Sequence, residues 1–356
     1  MMKVSCFLGA CGAVLALAGL TAGASAQTAA PYAGKQIRMV IASGAGGGYD
    51  TYARVLTQRL AAHIPGNPTL VNENMPGAAG LNATNWTATQ APKDGTVILA
   101  TYNALLLEPL FGNKKAVYDP STLEWVGSMG KQQQICMTWQ TSPIKTIADA
   151  KQHEVTVAAT GATGNSATTP NILNAMLGTK FKVIGGYSTS EARLAVERGE
   201  VDGIYGLSWT TLKASNPEWI QNKRMNVLLQ TGAKRQDELP QVPLLRELVP
   251  NKDDVKVLDL LQLPEELGRP FAMPPGTPAS LVAIVRKAFD ETLKDKAFLA
   301  AAAKAHLVIE PTGGAAMQSE IATAYLAPKP IAAHAKELMQ PKGASVAAPK
   351  SKATKG

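Results

Sequence analysis

Apolar and polar positions in the first third of the chain alternate between short continuous runs and helically spaced stretches. Residues 37–42 (IRMVIA) are almost all apolar, as expected of a strand buried on both faces of a parallel sheet. After a cluster of glycines, the apolar residues of 49–64 recur at helical spacing. The order continues with a strand at 68–71, a glycine-rich loop at 74–80, a helix at 81–90 and a strand at 96–101. This repetition predicts a parallel sheet with helical crossovers.

The same alternation restarts after about residue 131. The predicted elements are strands at 155–159, 182–184, 201–205 and 226–230, with helices at 169–177 and 191–198. Proline-rich residues 270–278 then lead into one long amphipathic segment at 279–305. Two series of such units predict an α/β fold with two lobes, each a mostly parallel sheet flanked by helices. The first lobe is expected to combine 27–131 with 264–340, and the second to span 132–263.

Composition supports a folded body and argues against a nucleic-acid partner. Of the 356 residues, 46% are apolar, which allows a large core. The formal charge is +8, but one lysine lies in the first 26 residues and four lie in the segment 341–356, which leaves +3. No basic stripe interleaved with aromatic residues remains in the body. The Lys/Ala/Pro-rich tail at 341–356 is predicted to be disordered.

Residues 1–26 have the pattern of a secretory signal peptide. Lys3 precedes an apolar stretch that ends in Ala-Ser-Ala at 24–26, the small residues that signal peptidase prefers. Cleavage is therefore expected before Gln27, with export to the periplasm. An N-terminal membrane anchor is the alternative, but the apolar stretch is short for a span.

The loop 43–50 (SGAGGGYD) separates the first strand from the first helix. Glycines permit close backbone approach, and free N–H groups at the positive end of a helix dipole attract an oxyanion. The candidate ligand-binding residues of this loop are Ser43, Gly46, Gly47, Gly48, Tyr49 and Asp50. A plain tight turn remains an alternative. A dinucleotide site is another, although the glycine spacing is not G-x-G-x-x-G. Asp50 is also suited to capping the helix by accepting backbone hydrogen bonds.

Further candidate loops follow other predicted strands, and one of them, 74–80, leads into the second predicted helix. Their candidate residues are Pro76, Gly77, Ala78, Ala79, Tyr102, Asn103, Asn165, Ser166, Ser188, Thr189 and Trp209. Helix capping is the alternative for the short polar side chains, and simple packing is the alternative for Trp209. No Arg or Lys lies in the glycine-rich and polar loops, so a carboxylate would be held by neutral donors and helix termini.

In order and spacing, these motifs resemble the periplasmic substrate-binding receptors of tripartite tricarboxylate transporters, often called Bug proteins. The resemblance covers nearly all of the mature chain. It rests on IRMV at 37–40, GGGYD at 46–50, VNENMPGAAG at 71–80, KDGT at 93–96, YDP at 118–120, PIKT at 143–146, Tyr187, RGEVDG at 198–203 and PPGTP at 274–278. Their combined order is far more specific than any one motif.

The resemblance implies a hinged, two-lobed periplasmic-binding-protein fold of type II-like form. Such a receptor closes on a small carboxylate and delivers it, as a monomer, to integral-membrane permease subunits. The family holds a ligand carboxylate through backbone groups and waters at loops that match 43–50 and 74–80. Its second-lobe loops match 160–166 and 187–190, and the resemblance adds the candidates Thr160, Gly164, Tyr187 and Asp202. The sequence departs from the usual pattern at 163–168 and 185–189, which leaves the carboxylate unnamed.

Enzyme signatures are weak. The four histidines, at 63, 153, 306 and 334, lie away from the glycine loops, and none forms a spaced metal set with cysteine. Ser166 is not in a G-x-S-x-G turn. Cys136, the only cysteine after residue 26, lies in a strand-like run and is expected in the core. We predict a protein without catalysis, metal or cofactor. A ligand-sensing receptor for a membrane signalling protein and an exported hydrolase are the alternatives.

Overall fold

The fold, obtained as a computed structural model, is described for residues 30–159 and 165–339, with the backbone alone at Asn165, Thr189 and Ala214. The expected signal peptide, the C-terminal tail and the candidates Thr160 and Gly164 lie outside the described residues. Within them the strands are β1 (Gln36–Ile41), β2 (Thr69–Asn74), β3 (Val97–Ala100), β4 (Glu124–Ser128), β5 (Gln134–Trp139), β6 (Val155–Ala158), β7 (Phe181–Ile184), β8 (Gly203–Ser208), β9 (Met225–Gln230), β10 (Pro270–Met273) and β11 (Thr312–Gly313).

Helices connect these strands and cover the sheets. In chain order the first five are α1 (Gly48–His63), α2 (Leu81–Thr89), α3 (Ile147–Gln152), α4 (Asn165–Leu177) and α5 (Thr189–Glu197). They are followed by α6 (Trp209–Ser215), α7 (Pro217–Gln221), α8 (Leu245–Leu248), α9 (Lys252–Glu266), α10 (Ala279–Thr292), α11 (Lys296–Lys304), α12 (Gly314–Tyr325) and α13 (Lys329–Met339). Short 3-10 turns occur at Ala78–Gly80 and Asn103–Leu106. None of the described helices is long and apolar enough to cross a membrane.

The strands form two sheets, in the orders β11-β4-β10-β3-β1-β2 and β7-β6-β8-β5-β9. Four strands of the first sheet and four of the second run in one direction, as the sequence predicted. Both sheets are nevertheless mixed, because β10 and β5 pair antiparallel with both neighbours. These two reversed strands are the first that the chain forms after each crossing between the sheets. The two-lobed α/β fold is thus confirmed, with mixed sheets.

The core explains why these segments form strands and helices. Met39, Val40 and Ile41 of β1 are fully buried, since helices pack on both faces of this strand. Helix α1 packs against α10 and α11. At the other end of the chain, α13 packs against α9 and α4. Cys136 is completely buried in the second sheet, which confirms the expected core position, and burial raises the pKa of its thiol.

Several element predictions were wrong in their limits. The predicted strand at 201–205 occupies Gly203–Ser208, and the predicted helix at 169–177 begins at Asn165. The amphipathic segment 279–305 is two helices, because the Asp295 side chain accepts hydrogen bonds from the N–H groups of Ala297 and Phe298 and starts α11. Strand β4 and helices α9, α12 and α13 were not predicted; α9 even contains Pro264 near its end.

Candidate ligand-binding site

Three loops meet at one edge of the first sheet. Strands β1, β2 and β3 are parallel neighbours, with β1 in the middle. Their carboxyl ends therefore lie side by side, and each continues into a loop: residues 42–47, 75–80 and 101–103. In open α/β sheets this edge is where ligands bind.

The first loop turns the chain from β1 into α1. Ser43 is only 4% exposed, and its Oγ has no hydrogen-bond partner among the described residues. Gly46 has a φ of +80°, a left-handed conformation that favours glycine. Gly47 is the N-cap of α1 and adopts an extended conformation, so the N–H groups of Gly48 and Tyr49 have no partner inside the helix. The loop thus combines backbone donors with one buried hydroxyl.

Asp50 holds this loop from beneath. Its side chain is buried and accepts hydrogen bonds from the N–H of Gly46, from Asn74 and from Nε of Arg54, each at 2.8 Å. Burial opposes ionisation of the Asp50 carboxyl, but these donors outweigh it and lower its pKa below the ordinary value. The carboxylate oxygens of Asp50 are therefore already hydrogen-bonded to donors of the protein itself. Its bond to Gly46, just before the helix, is the capping-type role that the sequence allowed.

The second loop, after β2, is exposed and has an unusual backbone. Pro76, Gly77, Ala78 and Ala79 all lie at the surface. Ala78 and Ala79 have φ values of 47° and 53°, in the left-handed region that alanine seldom adopts. Backbone held in such conformations concentrates at functional sites. The strain therefore marks this loop as a candidate contact surface beside the first one.

Tyr49 and Tyr102 form an aromatic wall next to the loops. Their ring centroids are 4.5 Å apart, at an interplanar angle of 66°. The Tyr49 hydroxyl donates to Oδ1 of Asn103 at 2.8 Å, and Nδ2 of Asn103 donates to the carbonyl of Pro264 at 2.5 Å. Asn103 thereby joins the loop after β3 to the segment that returns from the second sheet. The sequence indicated Tyr102 and Asn103 as candidate residues, and the structure brings both to Tyr49.

Arg269 enters the same region from the return segment. Its Cζ lies 4.5 Å from the ring centroid of Tyr49 and 4.9 Å from that of Tyr52. A β-carbon at Gly48 would lie 3.8 Å from Nη2 of Arg269, so the guanidinium borders the start of α1. The loops themselves contain no side-chain cation, but Arg269 lies beside them. The sequence did not indicate this neighbour, because Arg269 precedes β10 far along the chain and belongs to no motif.

A cavity of about 200 Å³ lies between the two sheets next to this cation. The first-lobe side contributes Tyr52 and Arg269, and the crossing segment contributes Lys131 and Gln132. The second lobe contributes Ser208, at the end of β8, and the threonines that follow it at 210 and 211. Tyr52, Gln132 and Arg269 line this cavity, and no motif in the sequence pointed to them.

The second-lobe candidates are dispersed. Ser188 is an exposed N-cap of α5, bonded reciprocally with Glu191, which is the capping alternative. Asp202 lies at the amino end of β8, opposite the edge where strands end, and its carboxylate accepts hydrogen bonds from the N–H and hydroxyl of Thr156. Trp209 is 3% exposed and packs in the core, while its indole N–H donates to Glu238. Asp202 and Trp209 thus both make internal contacts in this structure.

The remaining second-lobe candidates lie where strands end. Tyr187 is half-buried after β7, and its N–H donates to the carbonyl of Ala159. Asn165 and Ser166 begin α4, and a β-carbon at Gly206 would lie 3.4 Å from the backbone nitrogen of Ser166. The backbone of Thr189 begins α5. In the described ranges, no group of three His, Cys, Asp or Glu side chains is arranged to hold a metal ion.

Comparison with known proteins agrees with this geometry. A TctC solute-binding protein from Polaromonas aligns with a TM-score of 0.68 at 19% identity, covering 86% of this chain and 98% of that one. MatC from Rhodopseudomonas palustris, a structure with bound malate, aligns with a TM-score of 0.55 at 17% identity over 86% and 99%. A second protein of R. palustris, solved with adipate, aligns with a TM-score of 0.58 at 19% identity, covering 85% of this chain and 97% of that one. The fold is therefore that of two-lobed solute-binding proteins.

Sequence comparison identifies the family. The family model described as the tripartite tricarboxylate transporter family receptor, TctC, matches residues 52–320. The chain is also 28% identical over 283 residues to a UPF0065 protein of Bordetella bronchiseptica, covering 77% of each chain. This protein belongs to the tripartite tricarboxylate transporter receptor family, which confirms the resemblance seen in its sequence.

Proposed function

We propose that this protein is a periplasmic solute receptor that captures a small carboxylate between its lobes and delivers it to the membrane permease of a tripartite transporter. The observation that carries the proposal is the loop 43–48, which presents backbone N–H groups at the start of α1 beside a buried, unpartnered Ser43 hydroxyl. A carboxylate is the natural partner for such donors. The malate and adipate in related structures support the same ligand class.

In this function the protein is not an enzyme. It binds the solute when the lobes close, and releases it to the permease when they open. Export through the signal peptide at 1–26 places the receptor in the periplasm, where it acts as a monomer. Mass spectrometry of small molecules that co-purify from the native host would name the carboxylate.

A melting scan with a panel of acids tests the proposal. The panel contains malate, adipate, succinate, citrate and glutamate, with malamide and adipamide as neutral counterparts. At a hundredfold excess over its dissociation constant, a ligand that binds only the native state stabilises it by about 2.7 kcal/mol. We expect at least one acid to raise the melting temperature and the amides to leave it unchanged. A panel without any shift would contradict the proposal.

A matched pair of glycine variants locates the site. Gly47 and Gly313 are both N-caps with extended backbones, and a β-carbon meets no atom closer than 3.4 Å at Gly47 or 3.9 Å at Gly313. Gly47→Val should therefore fold, but the acid should no longer raise its melting temperature. The valine side chain would occupy the space through which a carboxylate reaches the loop. Gly313→Val should keep the shift. Normal binding by Gly47→Val would exclude this loop as the site.

A further inference from the structure

Arg269 is a half-buried cation with no counter-ion in the part of the chain that the structure describes. Among the described residues, no carboxylate oxygen lies within 4.0 Å of its guanidinium, whereas neighbouring cations are paired. Arg54 pairs with Asp50 at 2.8 Å, and Lys131 pairs with Glu266 at 2.6 Å. The local charge balance next to the loop therefore leaves one positive charge, at Arg269.

Neutral groups fix the position of this guanidinium. Its Cζ stacks near the rings of Tyr49 and Tyr52, at 4.5 and 4.9 Å from their centroids. The Gln132 amide lies between Arg269 and Asn103, and its oxygen accepts from one or the other according to the orientation of the amide. Aromatic faces and an amide orient an arginine without neutralising it. The guanidinium is thus pre-organised and still charged.

The space that the guanidinium faces lies between the lobes. The cavity of about 200 Å³ is bounded by Arg269 and Lys131 on one side and by Ser208 on the other. His306 is its remaining ionisable lining residue besides Tyr52. No carboxylate side chain among the described residues lines it, so the cavity carries a positive charge. Removing an isolated cation from water is costly, and an anion in the cavity would offset that cost when the lobes approach.

We propose that Arg269 binds a carboxylate of the solute directly, together with the N–H groups at the start of α1. This inference deepens the proposed function, on which it rests. A β-carbon built on Gly48 would lie 3.8 Å from Nη2 of Arg269. At this spacing one carboxylate can contact the guanidinium and the N–H groups at the start of α1 together. Arg269 thereby makes the site selective for an anionic group over a neutral amide or ester.

Affinity measurements on charge variants test the role of Arg269. Malate and adipate are titrated by calorimetry into the wild type, Arg269→Gln and Arg269→Lys. Removing a hydrogen bond to a charged group lowers the affinity by about 10- to 100-fold. We expect that loss in Arg269→Gln and a smaller one in Arg269→Lys, which keeps the charge but not the planar fork. Arg198→Gln, which removes an exposed arginine from the second lobe, should bind like the wild type.

A chemical measurement on the wild type keeps the test independent of variant folding. Phenylglyoxal modifies exposed guanidinium groups, and peptide mass spectrometry reports the extent at each arginine. Malate or adipate should protect Arg269 and leave Arg198 unprotected, whereas adipamide should protect neither. Binding by Arg269→Gln within about threefold of the wild type, or unprotected Arg269 in the saturated protein, would overturn the role of Arg269 and leave the receptor function standing. A wild type that binds no acid of the panel would overturn both.

Discussion

Glu265 is a buried carboxyl where the two lobes join, and its titration should appear in the stability of the protein. Its side chain is 6% exposed and accepts a hydrogen bond from the Thr231 hydroxyl, while its backbone carbonyl accepts from the N–H of Gln132. The pKa of Glu265 is raised to about 8, mainly by burial; the hydrogen bond from Thr231 lowers it, and the neighbouring Glu266 raises it. The folded protein therefore holds a proton here at neutral pH that the unfolded chain releases.

The sign and size of the effect follow from the two pKa values. Because the pKa of Glu265 is higher in the folded state, its protonation favours folding at low pH, and this contribution is lost as the pH rises from about 4.5 to about 8. At about 1.4 kcal/mol per pH unit, the loss between pH 5 and pH 8 amounts to at most about 4 kcal/mol. Glu265→Gln keeps the shape and an acceptor for Thr231 but cannot ionise. Its free energy of unfolding should therefore lack this decrease with rising pH.

Urea unfolding followed by circular dichroism at pH 5, 6.5 and 8 measures the effect. Glu265→Gln should resemble the wild type at pH 5 and become progressively more stable than it towards pH 8. The control is Glu200→Gln, an exposed position, whose stability should follow the wild type at every pH. A constant difference between Glu265→Gln and the wild type across the three pH values would refute the assignment of a buried, protonated carboxyl.

Three further outcomes are expected. Asp50→Ala should lower the free energy of unfolding by about 1–3 kcal/mol in urea titrations, because it leaves the Gly46 N–H and the Asn74 amide without their acceptor; unchanged stability would show that the loop does not depend on Asp50. Saturation with malate or adipate should reduce the radius of gyration in small-angle scattering, and a constant radius at saturation would argue against hinge closure. N-terminal sequencing of periplasmic protein should begin at Gln27, whereas a membrane-bound chain with an intact leader would contradict cleavage.

The sequence predicted the elements whose signals are local. The run 37–42 and the helical spacing after it predicted β1 and α1 closely, since a strand buried on both faces is apolar throughout. Strand β4 was missed because Glu124, Gly127 and Ser128 interrupt its apolar character. The division of 279–305 was missed because the cap at Asp295 lies within a continuous amphipathic pattern. The direction of β5 and β10 depends on where the chain crosses between sheets, which no local pattern encodes.

The candidate site was predictable only where it consists of consecutive residues. Glycines at 46–48 and the residues around 102–103 mark loops at strand ends, and the structure places them together. Arg269 lies beside these loops through tertiary contacts with Tyr49 and Tyr52, and its own neighbours in the sequence carry no distinctive pattern. Asp202 shows the opposite case. It lies within a segment typical of the family, yet it bonds Thr156 at the far end of the sheet.

The C-terminal helix α13 adds a third link between the two halves of the molecule. Helix α12 packs on β4 of the first sheet, whereas α13 packs on α9 and on α4, which flanks the second sheet. Residues 326–328 alone separate the two helices, so the Cα atoms of Tyr325 and Lys329 cannot move more than about 15 Å apart. Any rotation of one sheet away from the other is therefore limited by this three-residue connection between α12 and α13.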